Sequence, residues 1–75
     1  MFLGERRAQI VKVAEADIHG QRFYDLYYFM LDDPGKQVIG SRVPVESVYN
    51  HPQIGDAVTI HFMMNVPTKV ERLPQ

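Results

Sequence analysis

The chain has 75 residues, a formal net charge of −1 and no cysteine. A chain of this length is predicted to form a single domain, residues 1–75, and the lack of cysteine excludes disulfides and thiolate metal sites. Hydrophobic residues make up 45% of the chain and charged residues 23%, which is typical of a folded protein. The small net charge gives no overall attraction to phosphate or to anionic lipid.

The first periodic run, RAQIVKVAEAD at 7–17, predicts a long first strand. Ala8 and Ile10 share one face of that strand, whereas Val11 and Val13 lie on the other. This change of parity predicts a β-bulge around Ile10–Val11, because a bulge inserts one residue and bends the strand. An amphipathic helix is the alternative, since AQIVKVAEA has fair helical propensity, but its central valines and isoleucine favour a strand.

The second run, RFYDLYYFML at 22–31, is apolar on both faces. From Tyr24 onwards its even-numbered positions are all aromatic or apolar, and Asp25 is the one carboxylate among its odd-numbered positions. A barrel strand turns only one face towards the core, so one set of rings is left outside. Because exposed aromatic patches mark interfaces, we predict that this strand forms a binding surface.

Shorter elements follow. A third strand is predicted over 36–45, where Gly40 permits a kink or a close backbone approach. A short helical turn over 44–50 follows it, because Pro44 suits a first helical position and His51-Pro52 ends the turn.

The fourth strand, AVTIHFMM at 57–64, has the cleanest alternation in the chain. Its inward side chains are predicted to be Val58, Ile60 and Phe62. A turn at 65–68 then leads into a last strand, KVERL, in which Val70 faces the core.

The predicted order is therefore three strands, a short helix and two strands. This is the order of a small all-β, five-stranded OB-like barrel with one short helix between strands 3 and 4. An SH3-like barrel, which also has five strands and a single-turn helix, is the alternative. Closure into a barrel would remove most of the exposed strand edges.

Two segments carry a resemblance to a known group of proteins. The segment IGDAVTIHFMMNVPTKVERL has a Gly-Asp turn, an alternating strand, an Asn-x-Pro-Thr turn and a short last strand, and ERRAQIVKVAEADIHGQRFYDLYYFML has the form of an opening hairpin. Both are similar to the corresponding parts of small bacterial β-barrel domains of unknown function. The resemblance covers about two-thirds of the chain and implies a fold, with no activity attached to it.

Catalytic and metal-binding patterns find no support in the sequence. His19, His51 and His61 do not form ligand pairs at the usual spacings. Asp32 and Asp33 are adjacent, and neighbouring residues at a strand end point to opposite sides. We therefore predict that the protein is not an enzyme and uses no cofactor or metal.

The favoured function is that of an interaction module that self-associates or binds a protein partner through the aromatic strand. The candidate interface residues are Tyr24, Tyr28, Met30, His61 and Met63. The alternative is that the short helix or Met1-Phe2-Leu3 folds back and covers these rings.

Single-stranded nucleic-acid binding is the competing function, because OB barrels bind through strands 2 and 3. The candidate contacts are Arg22, Tyr24, Tyr28, Lys36, Arg42 and Lys69. Interspersed acidic residues and the negative net charge argue against it. The opening MFLGERR has no apolar signal-peptide core and no run is long enough to span a membrane, so we expect a cytoplasmic protein without a membrane partner.

Overall fold

The computed structural model describes residues 3–74 of the chain. The strands are β1 (Leu3–Ile18), β2 (Gln21–Met30), β3 (Ile39–Pro44), β4 (Ala57–Met63) and β5 (Val66–Arg72), and a 3-10 helix at Val45–Ser47 joins β3 to β4. They form one antiparallel sheet in the order β3-β2-β1-β4-β5, which confirms the predicted all-β class and element order. The sheet is not closed, so β3 and β5 are its two edges. Over the described residues there is no helix with the length and apolar character needed to cross a bilayer.

The long strand β1 pairs with both of its neighbours. Its first half, Leu3–Gln9, pairs with β4, and residues 8–18 pair with β2. The register against β2 shifts between Ile10 and Lys12, so Val11 is an extra residue and the predicted bulge is confirmed. The bend lets one strand serve both halves of the sheet.

The inner face of the sheet supplies the core. Val58, Ile60 and Val70 are buried as predicted, and Phe62 is partly buried against them. The buried apolar side chains are Ala8, Ile10, Leu26, Tyr28, Met30, Val43, Val48, Val58, Ile60 and Val70.

The even-numbered side chains of β2 belong to this core. Tyr28 is 2% exposed and Met30 is 7% exposed, because their partners on β1 are the buried Ile10 and Ala8. The hydroxyl groups of Tyr28 and Ser41 are 2.7 Å apart and hydrogen-bond each other, and burial raises the pKa of Tyr28. The structure thus places Tyr28 and Met30 in the core, instead of on the exposed face that we predicted for them.

Two loop boundaries differ from the prediction. The β4–β5 turn lies at Met64-Asn65, which have φ of 53° and 68°, and not at 65–68. Two consecutive positive φ angles suffice for a two-residue hairpin turn, so pairing resumes at Val66. β3 starts at Ile39 rather than 36 because the Asp33 carboxylate accepts hydrogen bonds from the backbone N–H groups of Gly35 and Gln37, 3.0 and 3.1 Å away.

The segment after β3 links the two sheet edges at one end. Val48 forms a parallel bridge with Val70, and the Tyr49 N–H donates to the Val70 carbonyl at 3.2 Å. The Tyr49 hydroxyl donates to the Asp56 carboxylate at 2.7 Å. Asp56 also receives the Gln53 N–H at 3.0 Å, so this carboxylate fastens the loop that precedes β4.

The Tyr49–Asp56 hydrogen bond predicts an acid-sensitive stability. The bond lowers the pKa of Asp56 below its ordinary value, so its stabilisation is present above the usual Asp range and is lost as the pH falls through the folded-state pKa. We expect Tyr49→Phe to lower the free energy of unfolding by about 1 kcal/mol at neutral pH. On acidification, the free energy of unfolding should decrease less in Tyr49→Phe than in the wild type. Urea unfolding at neutral and acidic pH, followed by circular dichroism, measures both effects. Tyr27→Phe is the control, and parallel pH profiles for wild type and Tyr49→Phe would contradict the prediction.

Candidate interaction surface

The odd-numbered side chains of β2 face away from the core. Phe23, Tyr27 and Phe29 lie on the outer face because successive side chains of a strand alternate, and all three are partly exposed. We call these three residues the ring row. Asp25 belongs to the same odd-numbered set. An ionised carboxylate on the inner face would lose its hydration, and this explains why the odd-numbered set faces outward.

Small residues lie opposite parts of β2 on both adjacent strands. On β1, Ala16 is opposite Phe23 and Ala14 is opposite Asp25. On β3, Gly40 is opposite Tyr27. Directly opposite residues of antiparallel strands share a face, so Ala16 and Gly40 leave space beside the rings of Phe23 and Tyr27.

The ring of Tyr27 lies against the backbone of Gly40. A Cβ atom at Gly40 would be 3.0 Å from Cε2 and 3.2 Å from Cδ2 of that ring. The close backbone approach predicted for Gly40 is thus present, and its occupant is an aromatic side chain from the neighbouring strand.

The one carboxylate in the row is neutralised in place. Arg42 on β3 donates from Nε and Nη2 to the two oxygens of Asp25, at 2.7 and 3.0 Å. This hydrogen bonding lowers the pKa of Asp25. The pair is partly exposed and contributes at most about 1 kcal/mol to stability, but it removes a bare negative charge from between the rings.

Two lysines lie over rings of the row. The Nζ atom of Lys12 is 5.4 Å from the centre of the Tyr27 ring, and that of Lys36 is 5.7 Å from the centre of the Phe29 ring. Both distances are within the range of cation–π attraction. Together with Arg42, the two lysines give this surface three cations in addition to the Asp25 carboxylate. The chain as a whole, in contrast, has a net charge of −1.

The outer face of β4 and β5 has a different character. His61 lies between two carboxylates, with Nε2 2.6 Å from Glu71 and Nδ1 3.5 Å from Glu5, and the bond to His61 lowers the pKa of Glu71. Lys69 is 3.6 Å from Glu71. This is a charged, solvated face. Strand β1 lies between this face and β2. The prediction that His61 extends the aromatic patch of β2 is therefore wrong.

The remaining predicted residues are dispersed. Met63 is 58% exposed at the end of β4, and Tyr24 is partly buried against the core from the inner face. Arg22 forms an ion pair with Glu15. Of the predicted nucleic-acid contacts, only Lys36 and Arg42 therefore lie beside the ring row.

The sequence-based assignment missed Lys12 and the three rings of the row. The signal that would have found the rings is Asp25, because the set of alternate residues that contains a carboxylate is the outward one. In the alternative prediction Met1-Phe2-Leu3 covers the rings, and Met1 and Phe2 lie outside the described residues. The short helix contacts β2 near its start, where the Gln21 side chain donates to Glu46 at 3.2 Å.

Residues 3–74 contain no group of three His, Cys, Asp or Glu side chains that could hold a metal ion. Comparison of the chain with models of protein families, with curated proteins and with solved structures finds no match.

The contact between Tyr27 and Gly40 predicts a selective effect of a methyl group. Gly40→Ala should displace the Tyr27 ring by a few tenths of an ångström and destabilise the fold by about 1 kcal/mol. Gly35→Ala is the matched control, because a Cβ atom there would be 3.5 Å from its nearest neighbour, an ordinary contact. Thermal unfolding and the NMR shifts of the Tyr27 ring measure the two effects. Equal stability of both variants with an unmoved ring would contradict the prediction.

Proposed function

We propose that this protein is a non-catalytic interaction module that binds a second copy of itself, or another protein, through the ring row. The observation that carries the proposal is the contrast between the two outer faces. One presents three partly exposed aromatic rings with its carboxylate neutralised, and the other is lined by His61 and its acidic partners.

Energetics support association through the rings. Aromatic side chains provide a large contact area and lose little rotamer freedom when they are buried. A 75-residue core without disulfides contributes only about 3–5 kcal/mol of net stability, so covering the rings would add to a thin margin. A two-fold arrangement, in which the same row meets itself, is the simplest way to cover it.

We also propose an OB-like architecture, with a barrel that is left open between β3 and β5. The strand order, a first strand shared by both halves, the helix after β3 and the bridge between Val48 and Val70 support this topology. It is the architecture expected from the resemblance to small bacterial β-barrel domains. We propose a cytoplasmic location as well, since a chain without cysteine needs no oxidising compartment in order to fold.

A second candidate ligand for the same surface is single-stranded nucleic acid. It is favoured by the ammonium groups of Lys12 and Lys36, which lie over the rings of Tyr27 and Phe29. Bases stack on aromatic rings with little sequence preference, and flanking cations contact the phosphates. The acidic residues elsewhere on the chain weigh against a strong interaction.

The two adjacent tyrosines of β2 provide a matched test of the self-association proposal. Tyr27→Ser should abolish concentration-dependent association and leave the fold intact, because Tyr27 lies on the outer face. Tyr28→Ser should destabilise the fold by about 3 kcal/mol or more, because Tyr28 is buried. Sedimentation velocity across a concentration series and thermal unfolding give the two readouts. A wild-type protein that is monomeric at millimolar concentration would remove the self-association proposal.

Oligonucleotide binding has its own test. If the second candidate holds, a labelled single strand should bind at low salt and be released at moderate salt, because phosphate contacts depend on counterion release. The double substitution Lys12→Gln and Lys36→Gln should weaken binding about tenfold or more. Lys69→Gln, on the other outer face, is the control and should have little effect. Binding that is absent at low salt excludes this candidate.

A further inference from the structure

A cavity of about 360 Å³ lies on the inner side of the sheet, where the edges β3 and β5 do not pair. Its walls come from all five strands and from the β4–β5 turn. The lining residues are Arg6, Tyr28, Met30, Ile39, Ser41, Phe62, Asn65 and Pro67. Volumes of about 300–1,000 Å³ with mostly apolar walls and a few polar groups are typical of small-molecule sites.

Arg6 is the unusual member of this lining. It is opposite the buried Ile60 in the register of β1 and β4, so a cation occupies an inner-face position at the end of the apolar core. Its guanidinium donates to the Asp32 carboxylate at 2.8 Å, and the Asp32 side chain is 74% exposed. An exposed ion pair of this kind contributes little to stability, so a second carboxylate can replace Asp32 at low cost.

Two further polar groups belong to the lining. The hydroxyl groups of Tyr28 and Ser41, 2.7 Å apart, both belong to lining residues. Each hydroxyl can donate as well as accept, so the pair can meet a ligand oxygen without leaving either group unsatisfied. The apolar surface comes from Met30, Ile39 and Phe62.

We propose that this cavity binds a small amphipathic carboxylate. The apolar part of the ligand packs against Met30, Ile39 and Phe62, and its carboxylate accepts hydrogen bonds from the Arg6 guanidinium in place of Asp32. Arginine is suited to this role because its planar fork matches the geometry of a carboxylate. The site lies on the inner face of the sheet and is independent of the ring row.

The test compares three probes that have the same alkyl chain and different head groups. Octanoate, octylamine and 1-octanol are titrated into the unmodified 75-residue chain, and binding is followed through the NMR signals of the Met30 methyl group and the Phe62 ring. We expect octanoate to shift these signals saturably and to bind about tenfold tighter than 1-octanol, which corresponds to about 1.4 kcal/mol. Octylamine should bind more weakly than either, because its charge repels Arg6.

Substitutions locate the carboxylate. Arg6→Gln should lower the affinity for octanoate about tenfold and leave that for 1-octanol unchanged. Asp32→Asn should strengthen octanoate binding, because it removes the competing carboxylate. Arg7→Gln is the matched control, since Arg7 lies on the opposite face of the same strand and should have no effect.

Three results would each overturn the proposal. They are equal affinities for octanoate and octylamine, octanoate shifts that avoid Met30 and Phe62, and unchanged octanoate binding in Arg6→Gln. If Arg6→Gln does not fold, the comparison of the three probes on the unmodified protein and the Asp32→Asn result decide the question.

Discussion

The bulge at Val11 determines which side chains of the sheet face inward. In a regular strand, Ile10 and Val13 would lie on opposite faces. Because Val11 is an extra residue between them, both side chains face the core. Strand β2 follows this register, so Tyr28 is opposite Ile10, and Leu26, Tyr28 and Met30 are buried. The backbone of Ile10 is also bonded on its other side, where its N–H donates to the Asp56 carbonyl at 3.0 Å and its carbonyl accepts the Gly55 N–H at 2.8 Å.

This one choice of face produces two surfaces of different chemistry on β2. Tyr27 points outward over Gly40, beside a neutralised carboxylate and under a lysine. Tyr28 points inward and lines a cavity at the open edge of the sheet. The same register places Arg6 on the inner side, because it is an even number of residues from Ala8 and precedes the bulge. An aromatic platform and a cation at an apolar cavity are thus consequences of a single strand register.

Several elements could be read from local pattern. The parity change at Ile10–Val11 gave the bulge, and the alternation of 57–62 gave Val58 and Ile60 as core residues. The candidate surface was less accessible. Both alternate sets of β2 are aromatic, so hydropathy could not distinguish Tyr28 from Tyr27, and the single carboxylate at Asp25 was the one clue to the outward set. The grouping of Lys12 and Gly40 around Tyr27 joins three consecutive strands and depends on the register of each pair.

The all-β class, the number of strands and the place of the short helix were encoded in local order, because period-two hydropathy and turn residues act within a few positions. Strand pairing and register are long-range choices, made by which side chains fill the core together. They determined that the rings of Phe23, Tyr27 and Phe29 remain outside, that His61 lies among carboxylates, and that β3 and β5 stay apart around a cavity. No short window contains that information, since burial of one face depends on partners 11 to 60 residues away along the chain, as in the pairs of β2 with β3 and of β1 with β4.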